Sequence, residues 1–515
     1  MPETLDQTLR ALPRHFAGPG GAVAVLRDGE ILARHAWGFA DLERRIAFTP
    51  ETMFLVCSIT KQFTCATTLL ATDLDRQPDI LQAALAARLP RMAIRPTATQ
   101  MAHNQSGLRD YWALTALAGA PVEAPFTEAQ SRRLTDRAET LHFAPGTRYS
   151  YCNHNFRLLG DMVAERAGAP LGALMRRHVF DRAGMATARL NPDTSQVPGF
   201  TMGYEGSQED GFRPAINRIT WTGDAGLAAS LDDLIAWERH IDTTREDPAS
   251  IHRRLSVPVT FADGNSAGYG WGLSRGTLLG RPIVGHGGGL RGWRSLRFYA
   301  PAERLSVVVL FNHMADPRAA AIRLFAAALG ADLPAPATGA PINWAGKYLD
   351  PETGLAARID AAPNGQATLH FAGHPEIVAP SPDGAHKADP LRLRPEPGGL
   401  RMTRATDNID TILQPASGEA PMDVAGTYRS AEWGSAITVA ASGDTLYAAC
   451  SGELGEGAMV PLIPYAADTW LMPCPRALDF SAPGDWTLSF HRAAGRVTGL
   501  RMGCWLAHDI EYVLS

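Results

Sequence analysis

A serine and a lysine stand three positions apart near the start of the chain, in the order Ser58-Ile59-Thr60-Lys61. Residues three apart share one face of a helix, so the lysine amine can reach the serine hydroxyl. A hydroxyl becomes a useful nucleophile when a base takes its proton, and a desolvated lysine can be that base. The start of a helix adds free N–H groups beside the nucleophile. Alone, this pair is a weak signal, because a solvated helix lysine gives the same spacing.

Lysine is rare in this chain, which sets Lys61 apart. The 48 basic residues include three lysines, Lys61, Lys347 and Lys387, so arginine supplies almost every other positive charge. Unlike arginine, lysine can lose its proton in a protein. We therefore expect Lys61 to act as a proton acceptor.

Two further short motifs follow in the same part of the chain. In Tyr151-Cys152-Asn153 the phenol can transfer protons if nearby cations lower its pKa, and the amide can hold a substrate amide. In His286-Gly287-Gly288-Gly289 the glycines let a strand approach a ligand, and a free N–H can complete an oxyanion hole with the N–H of Ser58. Each motif alone also fits a core tyrosine or a glycine-rich hairpin.

The elements around these motifs predict a domain of mixed helices and strands. Two strand-like runs from Gly20 are joined by a hairpin signal at Asp28-Gly29. The run SITKQFTCATTLLATDL predicts a helix that starts at Ser58, and a capped amphipathic helix is expected after Ser230. The apolar run LSVVVLFN predicts a buried strand, and AAAIRLFAAAL predicts the helix that closes the domain.

Length and composition narrow the class of protein. A chain of 515 residues exceeds one ordinary core, which predicts two or three domains. The net charge of −5 gives no reason to expect a nucleic-acid or membrane-surface partner. No apolar run is long enough to span a bilayer, and the first residues lack the pattern of a secretory signal, so we expect a cytoplasmic protein. The cysteines form no C-x-x-C pair, and no motif indicates a metal or an organic cofactor.

The second part of the chain has an all-β texture. A Pro/Ala-rich stretch, 333–342, predicts a linker after a first domain at 1–332. Ala345-Gly346-x-Tyr348 recurs as Ala425-Gly426-x-Tyr428, at an offset of 80 residues. We therefore predict two related β units, at 343–418 and 419–515.

The second β unit is expected to contain an insertion. Gly399-Leu400-Arg401-Met402 recurs as Gly499-Leu500-Arg501-Met502, where the offset has grown to 100 residues. The best location for the added residues is the Pro-bounded stretch 473–485, between two strand-like runs. Insertions of this kind are often functional.

The three motifs together resemble those of the penicillin-recognising serine hydrolases, which include class C β-lactamases, serine DD-peptidases and related esterases. The resemblance covers the predicted first domain and includes the segments NQSGL from Asn104 and GDAGL from Gly223. It implies a multidomain protein with an α/β (α+β) catalytic domain, in which helices flank an antiparallel sheet. The segments NQSGLRDYWAL, YSYCN, GDAG and GHGGGLRGW are similar to the D-stereospecific aminopeptidases of this family. That likeness implies that two antiparallel β-barrel domains follow.

The resemblance also implies roles for the motif residues. Ser58 is acylated, Lys61 and Tyr151 transfer protons, and Asn153 binds substrate.

The glycine-rich motif supplies the other side of the implied site. His286 occupies the position where lactamases have a lysine, and Gly288 and Gly289 lie against the substrate. The N–H groups of Ser58 and Gly289 hold the oxyanion. A neutral histidine lacks the fixed charge that would hold a substrate carboxylate, which weakens the β-lactamase alternative.

We predict that the inserted loop, 473–485, reaches the catalytic cleft and leaves room for one residue before the scissile bond. Asp479, in the middle of the loop, is then the carboxylate that faces a substrate ammonium group, and Asp485 is the alternative. An ordinary surface hairpin with solvated acids remains open.

The expected function is release of an N-terminal D-amino acid, of the D-Ala type, from small peptides, amides or esters through an acyl-enzyme. β-Lactams are expected as inhibitors, and a homodimer is left open. An esterase, a DD-carboxypeptidase or a β-lactamase would use the same machinery. The alternative of another class is a catalytically silent penicillin-binding or partner-binding protein.

Overall fold

The computed structural model describes residues 3–333, 335, 337–372, 374–474 and 484–515. An antiparallel sheet between helices forms the first part of the chain, and two antiparallel β units follow it. This confirms the predicted fold class. Within the described ranges, no helix is long and apolar enough to cross a bilayer.

The described α-helices lie in the first part of the chain, and half of them begin at a side-chain cap. Ser230 caps α10 as predicted, since its hydroxyl accepts from the N–H of Asp233 and the Asp233 carboxylate accepts from the N–H of Ser230. The described helices are α1 (Leu5–His15), α2 (Thr60–Thr72), α3 (Gln82–Arg88), α4 (Ala98–Ala102), α5 (Tyr111–Leu117), α6 (Glu128–Arg137), α7 (Asn153–Ala167), α8 (Leu171–Met175), α9 (Asp181–Ala183), α10 (Leu231–Thr243), α11 (Ile251–Leu255) and α12 (Pro317–Leu329).

The described strands of this part of the chain form one large sheet, a three-stranded sheet and two short pairs. They are β1 (Gly20–Arg27), β2 (Glu30–Asp41), β3 (Ile46–Ala47), β4 (Phe54–Leu55), β5 (Arg189–Leu190), β6 (Tyr204–Ser207), β7 (Gly211–Pro214), β8 (Leu227–Ala229), β9 (Val259–Thr260), β10 (Ser266–Ala267), β11 (Tyr269–Gly270), β12 (Leu273–Leu278), β13 (Arg281–Leu290), β14 (Trp293–Ala300) and β15 (Leu305–Phe311). The large sheet has the order β11-β12-β13-β14-β15-β1-β2-β3. β1 and β2 form the predicted hairpin, with Asp28 and Gly29 at positive φ in its turn.

Both faces of this sheet are covered, which explains the apolar run in β15. Val308 and Leu310 pack in a core shared with α2, α7 and α10, whereas Val307 and Val309 pack in a second core with α1 and α12. A strand buried on both faces needs apolar residues at consecutive positions rather than at alternate ones.

The first β unit is a closed antiparallel barrel with its own core. Its strands are β16 (Gly346–Leu349), β17 (Ala356–Ala361), β18 (Ala367–Phe371), β19 (His374–Pro380), β20 (His386–Ala388), β21 (Leu391–Glu396), β22 (Gly399–Arg404) and β23 (Ile409–Pro415). The first strand pairs with the last, β16 with β23, so no edge is left in the ring.

The second β unit departs from the expected barrel, because strand pairing does not close it within the described residues. Its strands are β24 (Gly426–Ser430), β25 (Ser435–Ser442), β26 (Thr445–Gly452), β27 (Gly455–Glu456), β28 (Val460–Pro461), β29 (Ile463–Ala466), β30 (Thr469–Met472), β31 (Trp486–Ala493), β32 (Arg496–Cys504) and β33 (Ala507–Leu514). β28 pairs with β26, near one end of the sheet, and β29 pairs with β30, at the other end. Among the described residues, only the segment 460–466, which is interrupted at Leu462, links these two ends of the sheet.

The repeated motifs fall on corresponding positions of the two units. The hydroxyl of Tyr348 donates to the carbonyl of Trp344 at 2.7 Å, and that of Tyr428 donates to the carbonyl of Val424 at 2.6 Å. In the second unit, β30 ends at Met472 and β31 begins at Trp486. In the first unit, Asp389 and Pro390 alone separate the corresponding strands, β20 and β21. Part of the extra chain length therefore lies at 473–485, where it was predicted, and another part lies between β26 and β29, at 453–462.

The second β unit packs on the loop that leads into α5. Arg109 donates to the carbonyls of His508 and Asp509 at 2.8 and 2.6 Å. The N–H of Asp110 donates to the carbonyl of Leu506 at 3.0 Å. Apolar residues of α5 and of β26 and β31 belong to one continuous core. This core crosses the boundary between the first part of the chain and the second β unit.

Candidate active site

Ser58 lies in a tight turn rather than in the helix itself. Cys57–Ile59 form a 3₁₀ turn and α2 begins at Thr60, so the prediction of a helix starting at Ser58 was two residues early. Cys57 has a φ of 53°, which is uncommon for a residue with a side chain and is found at functional turns. Thr60 stabilises the turn, because its hydroxyl donates to the carbonyl of Cys57 at 2.6 Å.

The glycine-rich strand β13 lies directly against this turn. A Cβ atom at Gly288 would collide with the carbonyl of Val56, so this close approach requires glycine. The neighbouring strand helps to hold the turn, since Ser295 donates to the same carbonyl at 2.9 Å. β12 pairs with β13 only as far as Gly285, while β14 pairs with it up to Leu290. Gly289 is the predicted oxyanion donor. It lies in the part of β13 that pairs with β14 on one edge and with no described strand on the other edge.

Lys61 is fully buried and its amine touches three oxygen atoms. Its Nζ lies 3.0 Å from Ser58 Oγ, 2.8 Å from Asn153 Oδ1 and 2.8 Å from the carbonyl oxygen of Asp224. Burial lowers the pKa of Lys61 to about 8, and the negative charges of Asp224 and Asp110 limit that decrease. Half of this lysine is therefore neutral near pH 8.

Tyr151 completes the group around the nucleophile. Lys61 Nζ lies 4.8 Å from the centre of the Tyr151 ring, and the nearby Ser58 side chain opposes the rise in the pKa of the phenol. Burial raises the pKa of Tyr151 well above its ordinary value. The sequence argument required nearby cations to lower the pKa of Tyr151. The pKa is raised instead, because the effect of desolvation exceeds that of the nearby charge. The phenol therefore stays protonated near neutral pH.

Asn153 is the first residue of α7, and its side chain holds Lys61. Its main-chain N–H donates to the carboxylate of Asp110, which fixes the start of the helix. Asp110 also caps α5, since it accepts from the N–H of Trp112 at 2.7 Å. Burial raises the pKa of Asp110 to about 6. One buried carboxylate therefore ties together the two helices that face Lys61.

His286 is buried beside Tyr151, with 6.3 Å between the ring centres. Its Nδ1 contacts the carbonyl oxygen of Gly287 and must carry the proton, so Nε2 accepts from the hydroxyl of Tyr269 at 3.0 Å. Burial and the charge of Lys61 lower the pKa of His286 to about 3. The imidazole is neutral, and both of its nitrogen atoms are occupied.

Two carboxylates at the site were missed from the sequence. Asp110 and Asp224 are both fully buried near Lys61, and Asp224 accepts a hydrogen bond from the hydroxyl of Tyr111. Both lie inside the segments NQSGLRDYWAL and GDAG, which were quoted only for their resemblance. The place of Asp110 and Asp224 in these segments could have drawn attention to them. Their distance from Ser58 along the chain could not, because it is too long for a local structural pattern to relate them.

The predicted ammonium ligand, Asp479, lies outside the described residues. Asp485, the alternative, is described and partly buried, and burial raises its pKa. The main-chain N–H of Cys474 opposes this increase most, and Arg358 and His370 of the first β unit act in the same direction. Asp479 stays a prediction.

Comparison with known proteins gives matches along the whole chain. The family model for β-lactamase matches residues 5–332, and the model for D-aminopeptidase, domain B, matches residues 337–513. The D-aminopeptidase of Gluconobacter oxydans (strain 621H) is 50% identical over 99% of this chain and 98% of its own length. The D-aminopeptidase of Brucella ovis is 46% identical over 99% of this chain and 98% of its own length.

A solved structure shares the fold of the first part of the chain. The D-amino acid amidase from Ochrobactrum anthropi SV3, complexed with D-phenylalanine, superposes with a TM-score of 0.52. At 17% identity it covers 63% of this chain and 99% of its own.

Proposed function

The chain belongs to the D-aminopeptidases of the β-lactamase family, and from that premise we propose that it releases an N-terminal D-amino acid through an acyl-enzyme on Ser58. The relatives that carry this name span the whole chain, including both β units. The proposed substrates are small peptides, amides or esters with a free ammonium group on a D-residue of the D-Ala type.

The observation that carries the mechanism is the set of three oxygen atoms around Lys61 Nζ. Asn153 Oδ1 and the carbonyl oxygen of Asp224 can only accept hydrogen bonds. A neutral lysine amine has two N–H groups, and these two acceptors take both of them. The remaining lone pair then faces Ser58 Oγ, 3.0 Å away. In this state Lys61 is positioned to take the serine proton.

The proposed reaction starts when Ser58 Oγ attacks the carbonyl carbon of the substrate and Lys61 takes the hydroxyl proton. The N–H groups of Ser58 and Gly289 stabilise the negative charge on the substrate oxygen. Tyr151 donates its proton to the leaving amine as the carbon–nitrogen bond breaks, and Lys61 returns a proton to the phenolate. Water then attacks the acyl-enzyme by the same route, which releases the amino acid and restores Ser58.

The other site residues hold this arrangement or the substrate. We propose that Asn153 binds both Lys61 and the substrate amide, and that Gly288 gives the substrate access to the strand backbone. His286 contributes a neutral wall beside Tyr151, which suits a substrate with no carboxylate at this end of the site. We also propose β-lactams as inhibitors, because they acylate serines in sites of this kind.

Four substrates, each assayed in its own reaction, test the proposed function. D-Ala p-nitroanilide, L-Ala p-nitroanilide, a simple ester and nitrocefin are offered in turn to the purified protein, and release of the product is followed in each. We expect D-Ala p-nitroanilide to be hydrolysed and the L-isomer to be left intact. Turnover of nitrocefin or the ester alone, or of none of the four, would contradict the proposal.

The rate should depend on pH through Lys61. The neutral amine is the active form, so kcat for D-Ala p-nitroanilide, measured at saturating substrate where the bound ammonium keeps its proton, should be low at acid pH and rise with pH. Half of its maximum is expected near pH 8, because burial sets the pKa of Lys61 to about 8. Initial rates between pH 5 and pH 10 measure this limb. A profile that falls through this range as pH increases would contradict a lysine base.

A carboxylate is needed to recognise the substrate ammonium, and we propose that Asp479 supplies it. A charge-assisted hydrogen bond in a closed cleft contributes about 1.5–3 kcal/mol, far more than an ion pair in water. Asp479→Asn should therefore reduce kcat/KM for D-Ala p-nitroanilide by about ten- to a hundredfold. N-acetyl-D-Ala p-nitroanilide has no ammonium group and should be affected much less.

The matched control for this variant is Asp485→Asn, which should leave the ratio of the two substrates unchanged. Deletion of the loop 473–485 should improve entry of the acetylated substrate. Equal losses on both substrates in the Asp479 variant would refute the assignment.

A further inference from the structure

We propose that Asp224 and Tyr111 form a positioning pair that holds the Lys61 amine and tunes its readiness to accept a proton. The inference rests on the proposed function, in which Lys61 is the general base. Neither residue touches the substrate in this proposal, so both act through Lys61.

Asp224 contacts Lys61 with its main chain and is anchored by its side chain. Its carbonyl oxygen accepts from Lys61 Nζ at 2.8 Å. Its carboxylate accepts from the main-chain N–H groups of Thr222 at 2.9 Å and Ala225 at 3.2 Å. The carboxylate therefore fixes the turn that presents the carbonyl group. If the side chain moves, the carbonyl oxygen moves with it.

Tyr111 provides the third anchor of this carboxylate. It lies at the start of α5 with 1% of its surface exposed, and its hydroxyl donates to Asp224 Oδ2. The ring stacks on Phe126 and meets the edge of His154, with 5.5 and 5.2 Å between ring centres. A ring packed in this way cannot follow a moving carboxylate, so it holds Asp224 in one place.

Asp224 also contributes negative charge at the buried amine. Burial lowers the pKa of Lys61, and the charge of Asp224 is the strongest effect that opposes this decrease. Asp110, at the start of α5, acts in the same direction. The other titratable or charged groups near Lys61 or behind Asp224 are Cys57, Cys65, Tyr151, Cys152, His286 and Arg157. Burial keeps Cys65, Cys152, Tyr151 and His286 neutral near pH 7, and Arg157 is positive, so Asp224 and Asp110 supply the negative charge that acts on the amine.

The pair therefore has two separable effects. The charge of Asp224 keeps Lys61 from losing its proton too readily, and the anchored turn places the carbonyl oxygen that orients the lone pair. Removal of the charge should change the pH dependence of the reaction. Removal of the anchor should change its maximum rate.

Asp224→Asn tests the charge. The amide can still accept from the N–H groups of Thr222 and Ala225, so the turn is kept, but the negative charge is lost. We expect the acid limb of kcat for D-Ala p-nitroanilide to move to lower pH by about one unit, the scale of a lost opposite charge beside a buried group. At pH 6.5 the rate relative to the plateau should rise about tenfold.

Tyr111→Phe tests the anchor. The ring and its packing remain, while Asp224 keeps its charge and loses one hydrogen bond. We expect the plateau of kcat to fall about tenfold with KM little changed and no movement of the acid limb to lower pH. The matched control is Tyr512→Phe in the second β unit, where the buried hydroxyl bonds to Ser435 at 2.8 Å. This control should leave both the plateau and the limb unchanged.

An acid limb that stays in place in the Asp224 variant overturns the proposed tuning, and a wild-type kcat plateau in the Tyr111 variant overturns the proposed anchoring. Melting temperatures show whether each variant is folded, and an unfolded Asp224 variant leaves the decision to Tyr111→Phe. Failure of the proposed function is distinct, because the wild-type protein would then show no turnover of D-Ala p-nitroanilide.

Discussion

Ser58→Ala is expected to abolish turnover of D-Ala p-nitroanilide without unfolding the protein. Loss of a serine nucleophile reduces kcat by a factor on the order of 10⁶ where its partners act as a unit. The turn that carries Ser58 is held by other groups, the hydroxyls of Thr60 and Ser295. The melting temperature should therefore stay close to that of the wild-type protein, while the activity falls to background.

A covalent label tests the same residue directly. A slow acylating inhibitor should add its mass to the tryptic peptide 46–61, which follows Arg45, ends at Lys61 and contains Ser58. The Ser58→Ala variant is the control and should remain unlabelled. An adduct on another peptide, or an active alanine variant, would remove Ser58 from the mechanism.

Lys61→Arg is expected to lower kcat by at least about a hundredfold, the usual scale for a lost acid–base group. Arginine keeps the positive charge but cannot give up its proton in a protein. It therefore has no lone pair to offer Ser58, although it can still donate to Asn153 and to the carbonyl of Asp224. Kinetics across pH 6 to pH 10 should show no recovery, since no pH in this range makes arginine neutral.

The chain offers a matched control for this substitution. Lys387 is partly exposed in the first β unit, where it pairs with Asp383 at 3.0 Å. Lys387→Arg should leave kcat and KM unchanged. If Lys61→Arg retained near-normal activity, positive charge rather than proton transfer would be the role of this lysine. Measuring melting temperature alongside kcat separates a lost base from a core that rejects the larger side chain.

The contact between Ser58 and Lys61 could be predicted from sequence because it is local. Three residues separate them, and a single helical turn brings them to 3.0 Å. The contact between Lys61 and Asp224 spans 163 residues of sequence and depends on how a loop packs against α2. No periodicity reports such a contact. Resemblance marked the segment around Asp224, and the fold was needed to show its partner.

The pKa of Tyr151 shows a second limit of sequence reasoning. The sequence places a lysine in the same site, and a nearby cation alone would lower the pKa of the phenol. Burial has the opposite effect and is the larger one here, so the pKa is raised. The sign depends on how deeply the ring is enclosed, which follows from the packing of several elements.

The β units show the same difference between what the sequence predicts and what only the fold reveals. Matched motifs predicted two related units, and Tyr348 and Tyr428 make the same hydrogen bond in each. The motifs did not predict that pairing closes only the first ring. That difference arises at Leu462, where one residue between β28 and β29 interrupts a strand that would otherwise pair on both sides.

The core that runs from α5 into β26 and β31 has a consequence for how the molecule melts. Residues that share one packed core unfold together, because neither side keeps its buried surface once the other is lost. The first part of the chain and the last β unit therefore form one cooperative block, although they are far apart in sequence. The closed barrel between them has its own core, and a small cluster of Ala356, Tyr465 and Ala466 joins it to the last β unit. In unfolding, we expect one cooperative block that carries a barrel with a core of its own, rather than three independent domains.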